Sequence, residues 1–203
     1  NLGHLIFPGE AIPSFDPLHV NDVEPVLKNT KFFKKGDLFI SLRNNSTVFQ
    51  YRPSTNEIIW IKKYPWVYQH DVDIINDTQI SIFNNKNLQH YARIVGDKPK
   101  QMYNDVNIYD FEKDEVTSPY KNYFKKFDVR TPMQGLSQIY KDNIFIEETN
   151  FGRLLYLNNN GELLFEYINR AKDNNVYTLN WSRLINKAEF ENTFEILNNS
   201  KCN

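Results

Sequence analysis

The chain has 203 residues, of which 40% are hydrophobic and 15% aromatic, with 24 basic and 25 acidic side chains and a net charge of -1. These proportions suit one globular domain with a substantial core and exclude a disordered chain. Balanced charge offers no basic stripe for nucleic acid, no apolar run approaches the roughly 20 residues of a membrane helix, and the lone Cys202 cannot build an internal disulfide or a thiolate metal cluster.

In chain order, short runs rich in Ile, Val, Phe and Tyr alternate with Asn/Asp clusters and read as strands. They fall at Asn21–Val26, Asp37–Leu42, Thr47–Tyr51, Glu57–Ile61, His70–Ile75, Gln79–Phe83, Gln134–Ile139, Asn143–Glu147 and Glu162–Tyr167. Asn and Asp replace glycine in the turns, because their side chains bond locally and tolerate positive φ.

A hairpin recurs along this series. Val48-Phe-Gln-Tyr-Arg-Pro-Ser-Thr-Asn-Glu-Ile-Ile-Trp60 resembles Leu154-Leu-Tyr-Leu-Asn-Asn-Asn-Gly-Glu-Leu-Leu-Phe-Glu-Tyr167, and Val106–Val116 is a looser copy. Each hairpin follows two further strands, which gives four-stranded units at about 19–62, 68–125 and 133–168, with a terminal strand at 177–185. Such a repeat predicts an all-β fold, a β-propeller of four-stranded blades, since a blade buries its faces only by stacking on its neighbours. A β-sandwich would also give short strands, but it has no reason to repeat one hairpin. Three units do not close a ring and the sequence opens on Asn1, so the expectation is the C-terminal portion of a larger propeller.

In a propeller the first strand of each blade lines the central channel. The repeat sets Asn21, His70 and Gln134 at equivalent positions, with His19 two residues before Asn21 and Arg43 ending an apolar second strand. Polar side chains distant in sequence would thus share one funnel. A lone His or Gln in such a place can also simply bond backbone or channel water. Trp60, Tyr64, Trp66 and Tyr68 cluster ahead of His70, either as an aromatic wall for a substrate or as packing between blades. Asp71 and Asp73 read as carboxylates on one strand face that bind backbone, and His90 as a solvated loop histidine. No metal-site spacing and no cofactor motif appears.

His19-Val-Asn-Asp, Gly36-Asp-Leu-Phe-Ile-Ser-Leu-Arg43, Glu57-Ile-Ile-Trp60 and Tyr68-Gln-His-Asp71 with Ile82-Phe-Asn-Asn85 together resemble the arylsulfotransferase family. The resemblance is best over 17–87 and continues more weakly through Gly135–Tyr167 to Asn180-Trp-Ser-Arg183. It implies a propeller enzyme that moves a sulfuryl group from an aryl sulfate to a phenol without a nucleotide donor, and it favours a periplasmic or secreted setting. It also implies a sulfated-histidine intermediate at His70, with His19, Asn21 and Arg43 on the sulfuryl oxygens and Gln134 beside them. A further histidine that the family draws from an earlier blade has no counterpart in the three units, which leaves His4 or upstream sequence to supply it. Two other classes compete: a non-catalytic propeller that serves as a binding platform, and a quinone-dependent dehydrogenase suggested by Thr55-Asn-Glu-Ile-Ile-Trp60, whose metal carboxylates are not recognisable here.

Overall fold

The computed structural model describes residues 16–86 and 102–200; His4, His90 and Cys202 lie outside them. Twelve strands form three four-stranded antiparallel sheets. The first blade is β1 (Val20–Pro25), β2 (Leu38–Leu42), β3 (Thr47–Arg52) and β4 (Glu57–Lys63). The second is β5 (His70–Ile74), β6 (Gln79–Asn84), β7 (Asp105–Asp110) and β8 (Glu115–Thr117). The third is β9 (Leu136–Tyr140), β10 (Asn143–Glu148), β11 (Arg153–Leu157) and β12 (Leu163–Ile168). Within each sheet the strands lie in sequence order, the meander of a propeller blade.

The period of two along each strand divides its side chains between two cores. On β6, Ile80 and Ile82 pack toward the first blade with Phe39, Val48, Trp66 and Tyr109. Phe83, one residue out of phase with them, joins Val106, Phe124, Ile144, Ile146 and Leu155 against the third blade. Each sheet is therefore held by apolar faces on neighbouring sheets, each fully buried large side chain contributing about 1.5–3 kcal/mol. Trp60 sits in the first of these interfaces with its ring 4.8 Å from Tyr109 and 5.0 Å from Phe111. Trp66 is fully buried there, and Tyr64 is half exposed. Trp60 and Trp66 are thus packing between blades, and Tyr64 stands outside that core.

The inner strands are ordered by side chains that bridge blades. Asp22 accepts from the Val72 amide at 2.6 Å, and Asp71 accepts from the Ser137 amide at 2.8 Å. Asp22 and Asp71 are thus equivalent, and so are Val72 and Ser137. The residue matching His70 in the third blade is consequently Gly135, two before Ser137; Gln134 stands level with Gln69, one position earlier than the sequence repeat suggests. β1 and β5 each carry a bulge near their start, between Val20 and Asp22 and between His70 and Val72. The extra residue accounts for the ambiguity of one position.

Two helices were not legible as periodic patterns. α1 (Lys121–Lys126) is a single short turn that inserts Phe124 into the core between the second and third blades. α2 (Lys187–Asn199) starts at a capping box between Asn186 and Glu189 and buries none of its residues. The segment 177–185, read as a strand from sequence, pairs with no strand. It runs as a strap across the third blade, held by Leu179 N–H to Thr149 O at 3.0 Å, Ser182 N–H to Glu147 Oε2 at 2.6 Å and Leu184 N–H to Gln138 Oε1 at 3.0 Å.

Candidate active site

The starts of β1, β5 and β9 meet at one end of the blades, where a cavity of about 610 Å³ opens. His19, Asn21, Arg43, His70 and Gln134 all line it. The volume lies in the range of small-molecule sites.

His70 opens β5 and is buried. Its Nδ1 lies 2.8 Å from Asn85 Oδ1. The orientation of that amide is fixed from behind, because Asn85 Nδ2 donates to Thr131 O at 3.2 Å and to Gln134 O at 2.6 Å. Asn85 can therefore only accept from His70, which assigns the proton to Nδ1 and the lone pair to Nε2. The Gln134 amide donates to Nε2 over a long 3.3 Å. Burial pushes the imidazole pKa down to about 4, with the charges of Arg43 and His19 acting in the same direction against the hydrogen bond to Asn85. At neutral pH His70 is an uncharged base on the cavity wall.

Arg43 begins a 3-10 turn, Arg43–Asn45, that follows β2. Its Nε donates to Asn44 Oδ1 at 3.2 Å, and its backbone amide donates to His19 O at 3.0 Å, which holds the two residues at adjoining strand ends. Burial lowers the guanidinium pKa from its ordinary value, yet an arginine so far above neutrality stays charged. His19 Nδ1 contacts Asp16 Oδ2, and its backbone amide donates to Asp16 Oδ1 at 3.0 Å. Asp16 thereby orients the ring as a carboxylate orients a working imidazole.

Asn21 donates from Nδ2 to Gln69 O at 2.7 Å, while its buried Oδ1 has no partner among the described residues. Gln134 contributes chiefly through its backbone, which occupies the left-handed region at φ 60° and bonds both His70 and Asn85. Gly135 follows at φ 94°, with Phe83 and Thr131 so close that a Cβ would meet them at 2.7 Å. Only glycine lets the third blade's leading chain approach the second.

The cavity also includes residues that strand-start reasoning did not find: Met133, Glu147, Thr149, Asn150, Asn180 and Trp181. Thr149 and Asn150 open the 3-10 turn Thr149–Phe151, which ends in the left-handed Gly152. The Arg43 turn ends likewise in left-handed Ser46. Aligning Arg43-Asn-Asn-Ser46 with Thr149-Asn-Phe-Gly152 is the sequence signal that brings Thr149 to the level of Arg43. Glu147 is fully buried and ties Thr149 Oγ1 at 2.6 Å to the Ser182 amide of the strap.

Below the cavity, Glu24, Asp71 and Asp73 line a second space of about 270 Å³ with Ser137 and Arg183. Burial raises the carboxyl pKa values there: Glu24 reaches about 7 and Asp73 about 6. Among the described residues no set of His, Cys, Asp and Glu side chains has the geometry of a metal site. No helix among them is long and apolar enough to cross a membrane.

Comparison with known proteins gives both structural and family relatives. Hydrazine synthase of Kuenenia stuttgartiensis aligns with a TM-score of 0.46 at 9% identity, over 79% of this chain and 38% of that one. AztD of Citrobacter koseri in its apo form gives 0.39 at 8% identity, over 70% and 34%. Virginiamycin B lyase of Staphylococcus aureus gives 0.39 at 14% identity, over 65% and 37%. The chain therefore spans less than two fifths of the length of each of these three proteins. No curated protein sequence matches it. Residues 8–170, most of the chain and all five of the predicted site positions, match the family described as Arylsulfotransferase (ASST). By that match, the chain belongs to the arylsulfotransferase family.

Proposed function

We propose that this protein transfers a sulfuryl group from an aryl sulfate to a phenol, with His70 as the nucleophile. Family membership supports sulfuryl transfer as the reaction class. The observation that carries the assignment is the fixed tautomer of His70: Asn85 holds the proton on Nδ1, so the lone pair is on Nε2 and neutral at working pH.

In the first half-reaction Nε2 attacks sulfur, an N–S bond forms, and the aryl S–O bond breaks to release a phenolate that takes a proton from water. In the second, the acceptor phenol loses its proton to solvent or a neighbouring base, its oxygen attacks sulfur, and the N–S bond breaks to return neutral His70. A covalent intermediate divides one hard displacement into two easier ones. Arg43 and His19 stabilise charge on the sulfuryl oxygens, with Asn21 and Gln134 beside them; groups already in place cost no reorganisation during the reaction. For Nε2 to attack, the long 3.3 Å bond from the Gln134 amide must be released.

The test is transfer from 4-nitrophenyl sulfate to phenol, followed by nitrophenolate absorbance and by mass spectrometry of the protein. The expected result is a covalent sulfuryl adduct on His70 and a loss of at least about a thousandfold in rate for His70→Ala. Full activity in that variant would overturn the assignment, and adduct-free turnover would remove the covalent mechanism.

A further inference from the structure

The cavity wall carries two histidines, several amides, an arginine and a carboxylate. Two large apolar side chains interrupt it, Met133 and Trp181. Both are about half exposed, 51% and 52%; Met133 is bonded at its own backbone, and Trp181 is flanked by bonded neighbours. Met133 N–H donates to Asn150 Oδ1 at 3.0 Å, and its carbonyl accepts from Thr131 Oγ1 at 3.1 Å. Trp181 has φ 59° and sits between two strap bonds, Leu179 to Thr149 O and Ser182 to Glu147 Oε2. The Arg183 guanidinium lies over the indole, 5.1 Å from its centroid. Large apolar groups left half exposed in a cavity beside charged and amide groups are placed for a ring to lie on.

We propose that Met133 and Trp181 form the recognition slot for the aromatic ring of the substrate. This inference rests on the sulfuryl-transfer reading for the identity of the reaction, but the slot itself is a statement about ring binding. An indole offers an offset-stacking face of about 0.5–1.5 kcal/mol beyond area burial, and a thioether packs against a ring edge while adapting to its substituents. The polar wall takes the sulfuryl oxygens, and the slot takes the ring, so the two ends of an aryl sulfate are read by different parts of the fold. Trp181 belongs to the strap, which lies beyond the 8–170 segment that matches the family. Ring selectivity is accordingly shared between the strap, through Trp181, and the segment leading into β9, through Met133.

Two measurements test the slot. In kinetics with 4-nitrophenyl sulfate, Trp181→Ala should raise KM about tenfold with kcat nearly unchanged, Trp181→Phe should restore most of the affinity, and Met133→Ala should give a smaller rise. An unchanged KM in both alanine variants overturns the slot. In equilibrium binding, 4-nitrophenol should quench tryptophan fluorescence in the wild type and in His70→Ala, and the quench should vanish in Trp181→Phe. If the quench follows this pattern but no aryl sulfate is turned over, the slot stands and the transfer reading fails. Absence of quenching in the wild type overturns the slot whether or not turnover occurs.

Discussion

Asn85 decides what His70 can do. Its two donor bonds to Thr131 O and Gln134 O leave only its carbonyl for the imidazole, so burial outweighs what favours the charged form of His70, the bond to Asn85 and a weaker one to the Tyr68 backbone. Asn85→Asp would put a negative charge at that position, and a carboxylate beside an imidazole raises its pKa by about 1–3 units. We expect the His70 ring proton signal to titrate correspondingly higher in NMR than its value of about 4 in the parent. The variant should also lose about 1–3 kcal/mol of stability from the Gln134 carbonyl that loses this donor, whereas Thr131 O keeps its bond from Asn104 Nδ2 at 2.9 Å. A titration that does not move would show that Asn85 is not the proton acceptor of His70. His70 itself was legible from the Gln-His-Asp motif. Asn85 was visible only as the end of Ile82-Phe-Asn-Asn85, since nothing in one dimension says which of two adjacent asparagines turns toward the ring.

At the level of elements, strands were readable and the strap was not. Alternation of Ile, Val and Phe with polar residues marks β2, β6 and β10 because each is buried on two faces by neighbouring blades. Tyr177–Ile185 has the same composition, so the expectation was a strand. Tyr177 and Leu179 amides meet single backbone carbonyls outside any ladder, while those of Ser182 and Leu184 meet side chains, Glu147 Oε2 and Gln138 Oε1, that stand in for a strand's carbonyls. Propensity cannot distinguish these two kinds of acceptor. The strap's path depends on Gly152, whose φ is +59° and where an added Cβ would lie 2.1 Å from Tyr177 O. Gly152→Ala should therefore displace the strap while the three sheets remain folded. Hydrogen exchange at Leu179, Ser182 and Leu184 amides should accelerate at least about tenfold, with β6 and β10 unaffected; protection equal to the parent would show that the strap is held elsewhere.

For the molecule as a whole, the inner strands crowd Asp22, Glu24, Asp71 and Asp73 along the line where blades meet, with Arg183 the cation facing them among the described residues. Burial first, then the neighbouring carboxylates, raises Glu24 to about 7 and Asp73 to about 6. Unfolded, both titrate near pH 4. The folded chain therefore holds these protons more tightly, and the stability they contribute is complete below about pH 4 and lost as pH rises toward about 7. His70 acts in the opposite sense: its folded value of about 4 lies below the ordinary 6.5, so its contribution is present above 6.5 and lost as pH falls through 4. Asp73→Asn removes an acid from the crowded line without touching His70. Urea denaturation should find the variant more stable than the parent at pH 8, with the difference shrinking at pH 5. An advantage that instead grows toward pH 5 would contradict the placement of these charges. That Asp71 binds backbone was foreseeable from sequence, whereas its reach to the next blade and the protonation of the line were not, because both arise from blades meeting.

The bulge between His70 and Val72 has a consequence for how such a molecule can change. Pleated chain normally locks every side chain to one parity, so re-aiming the first residue would invert all that follow. An irregular step at this point isolates the mouth of the channel from the phase of the strand behind it. Insertions or deletions at the mouth can then retune the chemistry while the stacked sheets keep their alignment.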